Sequence, residues 1–138
     1  MEEFTFKIVS PDKVVYQGNI VSLTAPGVEG YLGVWARHAP MLAALRVGEA
    51  VIKESESGPS RHFFIAGGLL EVEMDEVTLL ADAAESAEEI DISRAEAAKK
   101  RAEERLAHPD KTLDITRSQA ALIRAMNRLQ VAAKQHSR

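Results

Sequence analysis

Residues 90–95 read Ile90, Asp91, Ile92, Ser93, Arg94, Ala95, and they divide the chain into two parts of different periodicity. Before them, short apolar runs are broken by Gly and Pro; after them, long Ala-rich segments are punctuated by Arg. The same pattern nearly recurs as Leu113, Asp114, Ile115, Thr116, Arg117, Ser118. An Asp placed just ahead of a run with helical spacing is a start signal, because its carboxylate accepts from an N–H of the first turn that has no partner within the helix. Two such signals predict two helices in the tail.

The period changes from Glu85. Ala95, Ala98, Ala102 and Leu106 recur at helical intervals. His108, Pro109 and Asp110 end that run, since Pro cannot continue a helix. A second helix beginning near Asp114 carries Ile115, Leu122, Ala125, Leu129 and Ala132 along one side. Residues 85–138 are therefore expected to form an antiparallel two-helix hairpin. Its apolar stripes are narrow and rich in alanine, so the helices can approach closely while burying little. Undocking such an element costs only a few kcal/mol, a gap that a ligand can bias.

Working back toward Met1, Phe4, Phe6 and Ile8 alternate with Thr5 and Lys7, the period of a half-buried strand. Further runs lie at Val14–Tyr16, Ile20–Ala25, Met41–Leu45, Glu49–Lys53, His62–Ala66, Leu69–Val72 and Val77–Ala81. Turn chemistry separates them, including Gly58 with Pro59 and the pair Gly67 and Gly68. Many short strands at close spacing predict an antiparallel β-sandwich over residues 1–84, so the fold class is α+β.

The composition is that of a globular chain, and the absence of Cys excludes disulfides and thiolate metal sites. Glu2 and Glu3 stand where a leader would be basic, and no apolar run approaches the roughly 20 residues that span a bilayer. A cytosolic protein is the expectation. The net charge of −4 is unevenly distributed, because beyond Asp114 there is no Asp or Glu, only Arg117, Arg124, Arg128, Lys134, His136 and Arg138. A purely cationic last helix is either simply solvated or faces an acidic partner, phosphate or nucleic acid.

Arg94, Arg101 and Arg105 are spaced i, i+7, i+11, and Arg117, Arg124 and Arg128 repeat the spacing. Each trio falls within a stripe roughly 40° wide on its helix. Folded into a hairpin, two such stripes can converge on one polyanion, and guanidinium forks suit phosphate. Spacing leaves open the alternative that Arg94 pairs with Asp91, that Arg101 and Arg105 pair with Glu104 and its neighbours, and that the stripes are solvated. Enzymatic chemistry finds little support. His38, His62, His108 and His136 are scattered without carboxylates at ligand spacing, and no Ser occupies a nucleophile elbow. Gly27, Gly30 and Gly33 do not lead into a helix and read as turn and bulge positions, with Trp35 as a packing residue.

The run Ala66, Gly67, Gly68, Leu69, Leu70, Glu71, Val72, then Val77 to Ala81 with Ala84 and Glu85, then Ile90 to Ala95, closely resembles the epsilon subunits of bacterial F-type ATP synthases. Ser10, Pro11 and Asp12 near the start and Arg124 to Leu129 near the end extend the resemblance over essentially the whole chain. It implies a β-sandwich followed by a helical hairpin in a non-catalytic subunit of the central rotor stalk, peripheral to the cytoplasmic face of a bacterial cell membrane. The implied partners are the gamma subunit, the c-ring, and the alpha and beta catalytic subunits. The C-terminal helices would meet an acidic segment of beta and obstruct rotation in the hydrolytic direction, with Arg117, Arg124 and Arg128 at that contact. Some members bind ATP in the folded hairpin as a regulatory ligand, which carries over to Glu85, Ile90, Asp91, Arg94, Ala95 and Arg101 on the first helix and to Arg124 and Arg128 on the second, with any Mg²⁺ requirement open. The chain departs from the family pattern at Gly30, Tyr31, Leu32, Gly33 and at Ala36, Arg37, His38. Glu29, Tyr31 and His38 are the expected contacts with gamma and the c-ring there. A free sandwich module whose basic hairpin binds nucleic acid is disfavoured, since the hairpin lacks stacking aromatics and the β part lacks a basic patch.

Overall fold

The alternation of Phe4, Phe6 and Ile8 puts three side chains on one buried face of β1 (Phe4–Val9), leaving Thr5 in solvent. In the computed structural model, which describes residues 1–134, this strand is followed by β2 (Val14–Ile20), β3 (Ser22–Gly27), β4 (Gly30–Val34), β5 (Met41–Lys53), β6 (Ser60–Glu73), β7 (Glu76–Ala81) and β8 (Ala84–Ser86). They form one sheet in the order β2-β1-β7-β6-β5-β3-β4, with β8 paired to β6. All pairings are antiparallel except β1 with β7, which run parallel from Thr5↔Glu76 to Val9↔Leu80.

Two strands are longer than expected. Met41–Leu45 and Glu49–Lys53 are halves of β5, and His62–Ala66 and Leu69–Val72 are halves of β6. Gly67 and Gly68 lie inside β6, at φ +105° and +143°, so they bend a continuing strand where the sequence suggested a turn. β7 and β8 continue one register along β6, from Gly68↔Ala81 to Ile65↔Ala84, joined by hydrogen bonds from Asp82 N–H to Gly67 O and from Ala66 N–H to Ala83 O, both 2.9 Å. The regular pairing on both sides of β6 is interrupted at Gly67, between Leu45 and Val47 on β5 and between Ala81 and Ala84 on the other side, and the sandwich encloses one core. Phe6, Ile8, Ile20, Leu23, Ile52, Phe63, Ile65, Leu70 and Leu79 are essentially inaccessible there.

At one margin of the core, Tyr16 stands 6.1 Å from the Phe6 ring and 5.6 Å, edge-on, from Phe63. Its hydroxyl donates to Glu54 Oε2 at 3.1 Å, and the Arg61 guanidinium lies 5.1 Å over its ring. Burial, then the hydrogen bond to Glu54 and its negative charge, push the phenol up to about 12. An acid whose pKa is raised by folding favours the folded state while it is protonated. Its contribution is complete below pH 10 and is lost as pH rises from 10 toward 12. Alkaline unfolding curves should therefore show stability declining over that window, and Tyr16→Phe should flatten the decline; an unchanged slope in the variant would remove Tyr16 as its cause.

Contact between elements ends the first unit at Ser86 and begins the second at Ala87. Glu85, expected on the first helix, belongs to β8 and faces Phe64 of β6 across the ladder. The second unit has a 3-10 turn at Ala87–Glu89, then α1 (Ile92–Ala107) and α2 (Ile115–Ala133). Both start signals fold alike: Asp91 Oδ1 accepts from Arg94 N–H and Asp114 Oδ1 from Arg117 N–H, each at 3.0 Å. Each cap contributes about 1 kcal/mol. α1 ends at Ala107 with the His108 N–H on Glu104 O at 3.0 Å, as the following Pro109 requires. The buried residues of the hairpin are few and mostly small: Ala95 and Ala102 on α1 and Ser118, Ala125, Val131 and Ala132 on α2. Ile115, placed on that face by its spacing, is 53% exposed. His136 and Arg138 lie outside the described residues.

Candidate functional site

Arg94 and Asp91 meet through the helix cap, with the backbone N–H of Arg94 as donor, so the Arg94 guanidinium is left for other partners. Among the described residues, the guanidiniums of Arg94, Arg101, Arg105, Arg117 and Arg124 have no hydrogen bond or ion pair within the chain. Among the described residues no carboxylate such as Glu104 pairs with the first stripe, whose arginines stand exposed to solvent. Lys and Glu residues on exposed helix faces gain little from such pairing in water, and here the arginines remain available.

Three of these arginines come together at the turn end of the hairpin. Arg105 from the last turn of α1, with Arg117 and Arg124 from α2, lines an open groove of about 570 Å³ together with Asp110, Thr112, Asp114 and Ser118. That volume lies in the range of roughly 300–1,000 Å³ that accommodates small molecules. A second recess, lined by Arg101, Glu104, Arg105 and His108, adjoins it through the shared Arg105. The loop carboxylates are already engaged: Asp110 Oδ1 accepts from Thr112 N–H at 2.8 Å and Thr112 Oγ1 at 2.6 Å, which holds its carboxyl below the usual carboxylate range. Of the residues assigned to ATP, Arg94, Ala95 and Arg101 sit on α1, Arg124 and half-buried Arg128 on α2, and Ile90 and Asp91 in the connection ahead of α1. Arg94 and Arg128 line neither recess; Ile90 and Ala95 are buried. Thr112 and Ser118 belong to the groove although neither figured in the assignment. Serine in a helix carries no signal of its own, and only the folded hairpin shows where it points.

The residues assigned to gamma and the c-ring occupy the first unit. Glu29 lies in the tight turn between β3 and β4, and Tyr31 begins the exposed face of β4. They share a groove of about 540 Å³ with Val28, Leu32, Met41 and Leu42. The Arg46 guanidinium lies 4.9 Å over the Tyr31 ring. Val28, Tyr31 and Leu42 are each more than half exposed, an apolar surface of the kind that marks contacts with other molecules. His38 is apart from that groove, in the connection before β5, with Nδ1 2.7 Å from Ala39 O. Trp35 lies against Gly33 but is 53% exposed, so it is not the packing residue its type suggested.

A β-sandwich followed by an arginine-faced helical hairpin, in a chain whose described helices are none of them long and apolar enough to cross a membrane, defines a two-module protein of the α+β class. The chain belongs to the ATP synthase Delta/Epsilon chain family: the family model of the beta-sandwich domain matches residues 3–87, and that of the long alpha-helix domain matches residues 88–133. It is 42% identical over 134 residues to the ATP synthase epsilon chain of Bacillus pumilus, covering 97% of this chain and 100% of that one. To the ATP synthase epsilon chain of Moorella thermoacetica it is 42% identical over 132 residues, 96% and 98% of the two chains. Among solved structures, a chain of the Euglena gracilis mitochondrial ATP synthase, in an assembly of OSCP, F1 and c-ring, superposes with a TM-score of 0.68 at 22% identity, covering 98% of this chain and 80% of that one. At that identity the likeness concerns the fold.

Proposed function

We propose that this chain is a non-catalytic central-stalk subunit of a rotary F-type ATP synthase, bound to the gamma subunit and the c-ring through its sandwich. In this reading it couples rotation to ATP synthesis at the cytoplasmic face of the membrane. Its hairpin, extended toward the alpha and beta subunits, obstructs rotation in the hydrolytic direction, and the cationic α2 meets an acidic segment of beta. Membership of the family and full-length similarity to epsilon chains support the role.

ATP is the proposed regulator. Arg94, Arg101, Arg124 and Arg128 would hold the triphosphate, while Glu85 and Asp91 accept hydrogen bonds from the base, the ribose or a neighbouring Arg. Asp91 Oδ1 is engaged by the α1 cap, so only its second oxygen serves the ligand. The observation that carries this reading is the absence of chain partners for the Arg94, Arg101 and Arg124 guanidiniums among the described residues. Cations held on one element without counter-charges favour a polyanion. ATP bound to the closed hairpin more tightly than to the extended one shifts the population toward the closed form and permits hydrolysis. Calorimetric titration of ATP into the full chain, beside an Arg124→Ala, Arg128→Ala variant, tests the site. The expected result is one-to-one binding that the variant loses. No heat of binding at millimolar ATP would leave an inhibitor controlled by rotation and its acidic partner alone.

A further inference from the structure

The groove at the turn end of the hairpin contains more than the ATP assignment uses. Arg105 and Arg117 stand outside that assignment, and only Arg124 is common to both. The three guanidiniums come from both helices, and none has a partner among the described residues. Ser118 also lines the groove, on the first full turn of α2, and is only 6% exposed. Its backbone N–H is satisfied by Asp114 O at 3.1 Å, but its hydroxyl has no hydrogen-bond partner among the described residues. That hydroxyl keeps some access to the groove it lines, so it is open to a ligand as a donor. Three like charges across one recess also repel each other. The two carboxylates on the rim are engaged by Thr112 and by the Arg117 N–H, so they are turned to the loop and the helix cap.

We infer that this groove is a binding site for a phosphate-class oxyanion, held by Arg105 on α1, by Arg117 and Arg124 on α2, and by the Ser118 hydroxyl as a further donor. A tetrahedral oxyanion can accept from several forks at once, which a planar carboxylate cannot do as well. The N-terminal end of α2 adds its dipole in the favourable sense. Because its ligands come from both helices, a bound oxyanion clips α1 to α2 beside the turn, away from Asp91 and Arg94 at the other end of α1. Phosphate at this site therefore favours the closed hairpin independently of nucleotide. The same chemistry is offered by free phosphate and by the terminal phosphoryl group of a nucleotide.

Backbone amide shifts of the full chain, followed while inorganic phosphate is added, test the site, with sodium chloride of equal ionic strength as the control. Saturable shifts at Thr112, Leu113 and Ser118 are expected with phosphate and not with chloride. An Arg105→Gln, Arg117→Gln variant should weaken binding by about tenfold or more, since two charge-assisted donors are removed. Ser118→Ala, which leaves all the charges in place, should weaken it by a smaller factor. A parallel titration with ATP separates the sources: groove shifts with both ligands identify free phosphate as sufficient, and groove shifts with ATP alone identify the nucleotide's phosphoryl group. Drift that never saturates with either ligand, or saturation unchanged in the double glutamine variant, overturns the proposal. Loss of ATP-induced shifts at Asp91 and Arg94 alone, with groove shifts intact, would refute the ATP assignment and leave this site standing.

Discussion

Gly68→Ala is expected to destabilise the sandwich by about 3 kcal/mol or more. Gly68 has φ +143°, where an L side chain is strained, and a Cβ there would overlap the Leu80 carbonyl oxygen of the paired strand. Neither atom can yield cheaply. The clash is with backbone, and that backbone is held in the ladder by Gly68↔Ala81 and Leu69↔Leu80. Gly67→Ala is the matched control. Its φ of +105° is also unfavourable, but the nearest atoms to a new Cβ are the Asp82 carboxylate at 3.3 Å and Leu45 O at 3.5 Å, so only the backbone strain remains. That strain is of order 1–3 kcal/mol. Thermal unfolding reads the difference, because each kcal/mol moves the midpoint by about 4–8 °C in a domain of 60–100 residues. Equal midpoints for the two variants would mean that the sheet shifts to accommodate a side chain at Gly68, and that the Leu80 carbonyl does not set the cost.

The same two glycines show where the sequence stopped being informative. Local chemistry reads well: Asp91 and Asp114 each cap a helix three residues ahead of an Arg, a relation complete within four consecutive residues. Long-range pairing does not. Gly67 and Gly68 carry the signature of a turn, but whether the chain reverses or merely bends depends on β5 and β7, which lie far away in sequence. Glu85 was misplaced for a related reason. Ala83, Ala84 and Ala87 around it suggest helix, whereas the pairing of Ala84–Ser86 with Phe63–Ile65 makes it strand. In the hairpin the spacing of the arginines located two stripes, but their state of pairing required coordinates. Ser118 was invisible because its burial is created by the partner helix and the turn. What periodicity cannot supply is the environment of a polar side chain, and at this site the environment determines the chemistry.

Removing the hairpin by ending the chain after Ser86 should raise ATP hydrolysis by the assembled enzyme about fivefold or more when ATP is scarce, with a much smaller effect when ATP is abundant. The size follows from coupling free energies of 1–3 kcal/mol, which correspond to about 5–150-fold. The cut falls at the boundary between the two units, because β8 ends at Ser86 and the core residues from Phe4 to Ala84 all belong to the first unit. The truncated chain should accordingly keep its cooperative unfolding and the proposed contacts with gamma and the c-ring, so altered hydrolysis reports the hairpin and not a lost subunit. The dependence on ATP distinguishes a sensor from a fixed brake. The residues buried in the hairpin are mostly alanines, with Ser118 and Val131. Each buried methylene contributes only about 0.8 kcal/mol, so closure rests on a small apolar interface that a ligand worth a few kcal/mol can tip. Equal stimulation at low and high ATP would show that nucleotide does not hold the hairpin closed. Unchanged hydrolysis at both would show that the hairpin does not restrain the rotor at all.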